Sequence, residues 1–305
     1  MSNTVSGYLE LGLDELRARL PVPAEAAILA VGSAVEGPPP TSSDVDFLVL
    51  LSGGDLPPTP TAGVASRRTT IGIDYVVETP MGTLNPEFVP EETCERLSPL
   101  ADAIASALER GRPDDLPYLQ PREARLVDRL RSGRVLAGAE RVAHWSRRLR
   151  PHLILPYWVT GHLLGAEHVL TSALRNLERG DRETALLRAR MGAESLVLPA
   201  LACHGIVAFD LKHAATQARK LASTDRPLPS VLARLLELQL PPPSIDAGAY
   251  IKRLAEAALE LLELVESENA VAPAARLLRA DDVDRKLRTL AAPAGGRAVS
   301  EKEAP

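Results

Sequence analysis

The sequence predicts an α+β protein in which a small mixed sheet with flanking helices is followed by an all-α helical bundle domain. Short apolar runs of strand length, bounded by glycine, proline and threonine, dominate the N-terminal part of the chain. From about residue 95 onward, the apolar residues recur at the helical period of about 3.6. The chain has 305 residues, 45% of them hydrophobic, which is enough for two ordinary domains.

The N-terminal part contains one predicted helix and three predicted strands. Leucines at helical spacing in residues 8–20 indicate the helix, which Pro21 ends. Loops rich in glycine and proline separate the strands. The predicted strands are residues 26–31, 44–51 and 70–77.

The rest of the chain is predicted to be helical. The helical patterns occupy residues 95–111, 121–132, 136–149, 157–179, 182–204, 210–222, 228–239 and 247–267. Residues 291–305 have the composition of a disordered tail. We therefore expect a sheet-containing domain in residues 1–115, a helical domain in residues 116–290, and the tail.

The charge and composition of the chain argue against several classes of protein, including nucleic-acid-binding, disulfide-rich and membrane-spanning proteins. The net charge is −5 and no long basic run is present, which argues against a nucleic-acid partner because phosphate binding needs clustered cations. Cys94 and Cys203 show neither metal-ligand spacing nor a disulfide framework. No apolar stretch approaches the roughly 20 residues that span a bilayer, and the first residues lack a secretory signal pattern. We expect a cytoplasmic protein.

Asp44 and Asp46 begin the second predicted strand. Because side chains alternate between the faces of a strand, Phe47 and Val49 point to the core while the two aspartates share the opposite face. Their Cα atoms are then about 6.6 Å apart. Two carboxylates at this separation can converge on a hard cation, and without one they repel each other. The pattern predicts a Mg²⁺ site.

Asp74 lies in the third predicted strand, on the face opposite Ile73 and Tyr75. If this strand pairs beside the strand of Asp44 and Asp46, the three carboxylates meet in one cluster. Such a cluster suits a two-metal site that clamps the attacking and leaving oxygens of a phosphoryl displacement. For Asp44 and Asp46 alone, two surface aspartates on a solvated edge strand are the alternative interpretation.

Gly32-Ser33 ends the first predicted strand, where glycine permits a close approach of the backbone to phosphates. The order Gly32-Ser33, then Ser43-Asp44-Val45-Asp46, then Asp74 resembles the DNA polymerase β-like nucleotidyltransferase superfamily over residues 26–78. The loop before the second motif contains consecutive prolines where this superfamily has a short helix. An Asp-x-Asp motif of the glycosyltransferase type is excluded. In those enzymes a larger part of an α/β domain precedes the motif, whereas only 43 residues precede Asp44.

The resemblance implies a role for each residue of the motif. Asp44 and Asp46 are expected to bind Mg²⁺, with two ions in the site, and Asp74 is expected to be a third ligand or the base. Gly32, Ser33 and Ser43 are expected to contact the triphosphate of ATP or another nucleoside triphosphate.

The helical half is similar in layout to the aminoglycoside-modifying nucleotidyltransferases, in which helices help to bind the acceptor. Glu167 and Glu194 fall on predicted apolar helix faces, where a carboxylate is costly unless it is paired or functional. Each is a candidate general base for an acceptor hydroxyl, the alternative being an ion pair with Arg188 or Arg190. Lys212 is a candidate phosphate contact, and the alternative interpretation is a solvated surface lysine.

These features predict a metal-dependent nucleotidyltransferase that transfers NMP, most simply AMP from ATP, to a hydroxyl of a small molecule or peptide and releases pyrophosphate. A protein of the same fold that acts through a protein partner, by antitoxin-like modification or sequestration, is the alternative. A polymerase acting on tRNA or DNA ends is disfavoured by the acidic charge balance. The acceptor, the preferred nucleotide and the oligomeric state stay open.

Overall fold

The structure, a computed structural model, describes residues 5–32, 35, 44–53, 64–80, 82–209, 214–223, 230–239 and 245–292. The chain divides into two compact units. The sheet unit comprises Met1–Ala105 and Pro117–Ile154, and the helical unit comprises Ser106–Leu116 and Leu155–Pro305. A mixed sheet and a long helical region confirm the predicted α+β class.

The sheet unit holds a six-stranded mixed sheet in its described residues. The strands are β1 (Ala27–Val31), β2 (Val45–Leu50), β3 (Val64–Arg68), β4 (Ile73–Thr79), β5 (Gly82–Val89) and β6 (Arg134–Ala137). Their order across the sheet is β3-β4-β5-β2-β1-β6. Strands β2 and β5 are parallel, and the other neighbouring pairs are antiparallel. The helices along this part of the chain are α1 (Val5–Arg19), α2 (Glu91–Arg110), α3 (Pro121–Ser132) and α4 (Ala139–Leu149).

One face of the sheet forms an apolar core with α1. Phe47 and Val49 of β2 are fully buried in this core, together with Tyr75 of β4 and Leu9 and Leu16 of α1. Each such side chain contributes about 1.5–3 kcal/mol of burial free energy. The predicted alternation along the second and third strands is therefore confirmed, and it sends Asp46 and Asp74 to the opposite face.

The opposite face is apolar at β1 and β2 and polar toward β5 and β4. Leu29 and Leu48 occupy paired positions on β1 and β2 and are fully buried. Helix α3 packs against β1, and Gly133 at its end has no room for a Cβ, which would lie 3.1 Å from Leu29 and 2.5 Å from the Arg129 carbonyl oxygen. The polar side chains of the candidate site therefore share a sheet face with α3.

The strand β5 was not predicted, and it changes the neighbour of β2. Strand β5 was not recognised in the sequence because it contains Pro86, and a proline within a stretch of strand-forming residues argues against a central strand. Strands β4 and β5 pair at Asp74↔Glu87 and again at Val77↔Leu84, and no pair forms at Pro86 between them. Proline has no N–H to donate to a neighbouring strand. The expectation that the strands of Asp46 and Asp74 pair directly is wrong, because β5 lies between them.

The strand β6 and the extent of the sheet unit also differ from expectation. Residues 134–137 pair with β1 at the edge of the sheet, so the helix predicted from residue 136 begins at Ala139 instead. As a result, Pro117–Ile154 belongs with the sheet, whereas the sequence placed the boundary at residue 115. An edge strand of four residues is too short to carry a recognisable pattern in the sequence.

The helical unit is built around one long helix. Its helices are α5 (Ile154–Glu178), α6 (Arg182–Cys203), α7 (Ala214–Ser223), α8 (Ser230–Leu238), α9 (Ala247–Ser267), α10 (Ala272–Ala280) and α11 (Val283–Ala291). Helix α9 packs against α6, α8, α10 and α11 and buries Tyr250, Leu254 and Leu261 completely. The Tyr250 hydroxyl donates a hydrogen bond of 2.7 Å to the Leu238 carbonyl oxygen. Among the described helices, none has the length and apolar character needed to cross a membrane. Most of the predicted tail, residues 293–305, lies outside the described residues.

Candidate functional site

Asp44 and Asp46 stand at the start of β2. Asp44 precedes the strand and is exposed, and Asp46 lies within it and is half-buried. Burial raises the pKa of the Asp46 carboxyl above its ordinary value, and the nearby charge of Asp44 raises it further. Arg129, a hydrogen bond from Asn85 and the charge of Arg125 act in the opposite direction. The two aspartates thus repel each other, as their spacing predicts.

Gly32 follows β1 and approaches the Asp46 carboxylate closely. Its φ of 72° lies in the left-handed region, and a Cβ at this position would be 2.7 Å from Asp46 Oδ2. Any larger residue would be strained by the backbone angle and would collide with the carboxylate. Ser33 and Ser43, the other predicted phosphate contacts, lie outside the described residues.

Strand β5 adds two polar side chains to the same face. In the sheet, Asp46 pairs with Asn85, and Glu87 pairs with Asp74. Paired residues point to the same side, and residues 85 and 87 are two apart on one strand, so all four side chains share one face. The Asn85 side chain hydrogen-bonds the Asp46 carboxylate, and it supplies an amide where a third acid was expected.

Helix α3 brings three arginines to these acids. Arg122, Arg125 and Arg129 are spaced at i, i+3 and i+7, which places them on one side of the helix. Arg122 Nη1 lies 2.9 Å from Asp74 Oδ2 and 3.2 Å from Glu87 Oε1. Arg129 forms an ion pair with Glu87, and Arg125 acts on Asp46 through its charge.

Glu87 is the most deeply buried acid of the site, with 4% of its surface exposed. Burial raises the pKa of its carboxyl, and the charge of Asp74 and a hydrogen bond with Asp74 add to the increase. Arg129 and Arg122 lower the pKa. Glu87 and Asp74 therefore form a close acid pair that Arg122 bridges, and Arg129 pairs with Glu87 alone.

The predicted triad of acids does not converge as expected. Asp74 shares a face with Asp46 but is separated from it by β5, and Arg122 binds its carboxylate. Within the described ranges there is no group of three or more His, Cys, Asp or Glu side chains that could hold a metal ion. Two carboxylates nevertheless fit Mg²⁺, which proteins usually bind through one or two carboxylates plus substrate phosphates. Asp44 and Asp46 suit an ion that arrives with a nucleotide.

Asn85, Glu87 and the arginines of α3 were not among the site residues predicted from the sequence. The arginine spacing in residues 121–132 was a usable signal, since it places positive charge on one side of a helix. Asn85 and Glu87 gave no signal, because Pro86 lies between them and hides the strand.

The candidates in the helical part have different surroundings. Glu167 is buried, 8% exposed, and accepts a hydrogen bond of 2.8 Å from Thr171. Glu194 is half-buried, and the apolar stripe on which it was predicted to lie is buried at Val197, Leu198 and Leu201 but exposed at Leu187 and Met191. Near Leu187 and Met191, the buried face of α6 is made of small residues such as Ala189. Lys212 lies outside the described residues.

No protein-family model matches the sequence, and no curated protein matches it. Among solved structures, the chain is similar to a nucleotidyltransferase-like protein from Exiguobacterium sibiricum 255-15. The identity is 14%, the match covers 92% of this chain and 87% of that chain, and the TM-score is 0.38. A function for the chain has therefore to be argued from the residues of its own site.

Proposed function

We propose that the chain is a metal-dependent nucleotidyltransferase that transfers NMP, most simply AMP from ATP, to a hydroxyl of a small molecule or peptide and releases pyrophosphate. The observation that carries the proposal is the pair Asp44 and Asp46 at a strand start, beside the turn at Gly32. The repulsion between the two carboxylates favours a cation between them.

Asp44 and Asp46 are the residues that would hold Mg²⁺. When bound, the ion supplies charge neutralisation of the triphosphate and polarises the phosphoryl oxygens. The proposal includes one ion at this pair, because the carboxylate that a second ion would need, Asp74, is bound to Arg122.

Arg125 and Arg129 would receive the negative charge that develops on the leaving pyrophosphate. Both act on Asp46 through their charges, so they are close to the proposed nucleotide site. Guanidinium groups bind phosphate oxygens through two parallel hydrogen bonds, and such preorganised donors stabilise charge in a transition state. Arg129 is positioned by its ion pair with Glu87.

Asp74 is the proposed base. Its side chain is 32% exposed and lies on the same sheet face as Asp46, two strand spacings or about 10 Å away. The acceptor hydroxyl would pass its proton to the Asp74 carboxylate as its oxygen bonds to the α-phosphorus and the bond to pyrophosphate breaks. The ion pair with Arg122 holds the Asp74 carboxylate in position.

The test is incubation with ATP labelled at the α- or the γ-phosphorus and Mg²⁺, with extracted small molecules and peptides as acceptors. Label should reach an acceptor from the α position only, and γ label should leave in pyrophosphate. Asp46→Asn should abolish the transfer, and Asp14→Asn, which changes an exposed aspartate of α1, should leave it intact. Full activity of Asp46→Asn would remove the mechanism.

A second candidate function is action through a protein partner, by modification or by sequestration without turnover. The observation in its favour is that three arginines face four acids, so the site is nearly neutralised by the protein itself. Affinity capture of one stoichiometric protein, together with no α-label transfer to any small molecule, would favour this function over the first.

A further inference from the structure

The groove between α5 and α11 lies inside the helical unit and has a volume of about 440 Å³. Pockets that bind small molecules span about 300–1,000 Å³. The α5 side presents Glu167, Ser172 and Arg175 from one stretch of helix, and the α11 side presents Lys286. The groove is thus large enough for a small metabolite and is lined by groups of both charges.

Arg175 is the cation of the groove with the greatest capacity to bind a ligand. Arg285 forms an ion pair with Asp282, and Lys286 lies 2.8 Å from Asp281 Oδ2. Arg175 is exposed, and in the part of the chain that the structure describes it takes part in no ion pair. A guanidinium group in a groove that also offers hydroxyl and imidazole donors suits the three acceptor oxygens of a phosphate monoester.

Glu167 is the second feature that indicates a ligand. One carboxylate oxygen accepts a hydrogen bond from Thr171, but the other lies 3.7 Å from Lys286 Nζ, which is longer than a hydrogen bond. Glu167 lines the groove, so this oxygen can be reached by a ligand bound there. A donor on the ligand would add a hydrogen bond that the Lys286 ammonium, at 3.7 Å, does not supply.

The position of Lys286 decides which donor fits. An ammonium group on the ligand would be repelled by Lys286, and a second phosphate would be repelled by Glu167. A neutral hydroxyl suffers neither repulsion. We propose that the α5–α11 groove binds a small phosphate monoester that carries a neighbouring hydroxyl group, with the phosphate on Arg175 and the hydroxyl donating to Glu167.

The test is calorimetric titration of the full chain at low ionic strength with glycerol 3-phosphate, inorganic phosphate and glycerol. Glycerol 3-phosphate should bind at one saturable site, inorganic phosphate about tenfold more weakly, and glycerol not measurably. Arg175→Gln should weaken glycerol 3-phosphate binding about tenfold or more, and Arg179→Gln, a nearby exposed arginine outside the groove, should not.

Glu167→Gln separates the two halves of the proposal. In this variant the affinity for glycerol 3-phosphate should fall to the affinity for inorganic phosphate. The affinity for inorganic phosphate should not change. If this buried variant fails to fold by circular dichroism, Ser172→Ala and Arg175→Gln carry the test, and both should weaken binding. No saturable binding of glycerol 3-phosphate, or equal losses in Arg175→Gln and Arg179→Gln, would overturn the proposal. Asp46→Asn should bind like the wild type, so the groove and the proposed transferase site fail independently.

Discussion

Asp46 and Asn85 occupy paired positions on parallel strands, and the Asn85 side chain hydrogen-bonds the Asp46 carboxylate. An amide in this place differs from a carboxylate in two ways. It adds no negative charge beside Asp46, the proposed metal ligand, and it donates a hydrogen bond that a carboxylate could not. The acidic character of the site therefore comes from Asp44 and Asp46. Glu87, one strand away from Asp46, and Asp74, two strands away, are each paired with an arginine.

Asn85→Asp should strengthen Mg²⁺ binding. A third carboxylate beside Asp46 raises the charge of the donor set, which increases affinity for a hard cation. We expect the Mg²⁺ concentration for half-maximal transfer to fall by about threefold or more. Asn85→Ala removes the hydrogen bond without adding charge and should not lower it. An unchanged Mg²⁺ dependence in Asn85→Asp would place the ion away from Asp46.

Asp46→Asn should stabilise the protein at neutral pH. Because burial raises the folded-state pKa above the ordinary 3.8, the folded state binds this proton more tightly than the unfolded state does. The wild type therefore loses stability as pH rises from about 3.8 through the folded pKa, and the variant does not. Melting temperatures measured from pH 3.5 to 7.5 should show an advantage for the variant that disappears at the acidic end. A constant difference across this range would contradict the assignment.

Arg129→Gln should destabilise the fold, because it removes a counter-charge from the buried Glu87. Loss of one partner of a buried ion pair costs about 3 kcal/mol. Without Arg129 the pKa of Glu87 rises further, so the deficit is largest at neutral pH and shrinks as pH falls toward the ordinary value of 4.5. Urea unfolding at pH 7 and pH 4.5 would measure it. The control is Arg147→Gln, an exposed arginine of α4, which should change stability by less than about 0.5 kcal/mol.

Gly32→Ala should reduce both stability and activity. The left-handed backbone at a φ of 72° costs an L-residue about 1–2 kcal/mol, and the new methyl group would displace the Asp46 carboxylate. Gly53→Ala is the matched control, because a Cβ there meets nothing within 4 Å. Unfolding free energies and transfer rates of the two variants would be compared, and equal behaviour would remove the turn from the site.

Asp74→Asn should lower kcat by about 10²–10⁴ while leaving the KM for ATP near the wild-type value, because a general base acts in the chemical step. Glu78→Gln changes an exposed acid on the same strand and should affect neither quantity. A KM effect alone would indicate that Asp74 helps to bind the nucleotide.

Much of the fold could be predicted from the sequence because several elements carry strong periodicity. The helix predicted at residues 121–132 coincides with α3, and the predicted faces of β2 and β4 are confirmed by the burial of Phe47 and Tyr75. Where the periodicity of the sequence was weak, the secondary structure was determined by pairing with distant strands. Pro86 disguised a central strand, and the four-residue strand β6 is defined by its pairing with β1 at the edge of the sheet.

The site was predicted only in part. The two aspartates of β2 could be placed by alternation alone, since this depends on neighbouring residues in one strand. Their relation to Asp74 depends on which strand lies beside β2, which is a long-range property that one sequence does not encode locally. The apolar stripe around Glu194 was predicted in part: Val197 and Leu201 are buried, whereas Leu187 and Met191 have helical spacing but face solvent.

The sheet unit is built from two separate stretches of chain, and the second stretch supplies the counter-charges of the first. A truncated fragment ending at residue 115 would keep Asp44 and Asp46 but lose Arg122, Arg129 and the strand that covers β1. Glu87 would then have neither guanidinium beside it, and one edge of the sheet would be open to aggregation. Any attempt to express this half of the molecule alone should therefore extend through Ile154.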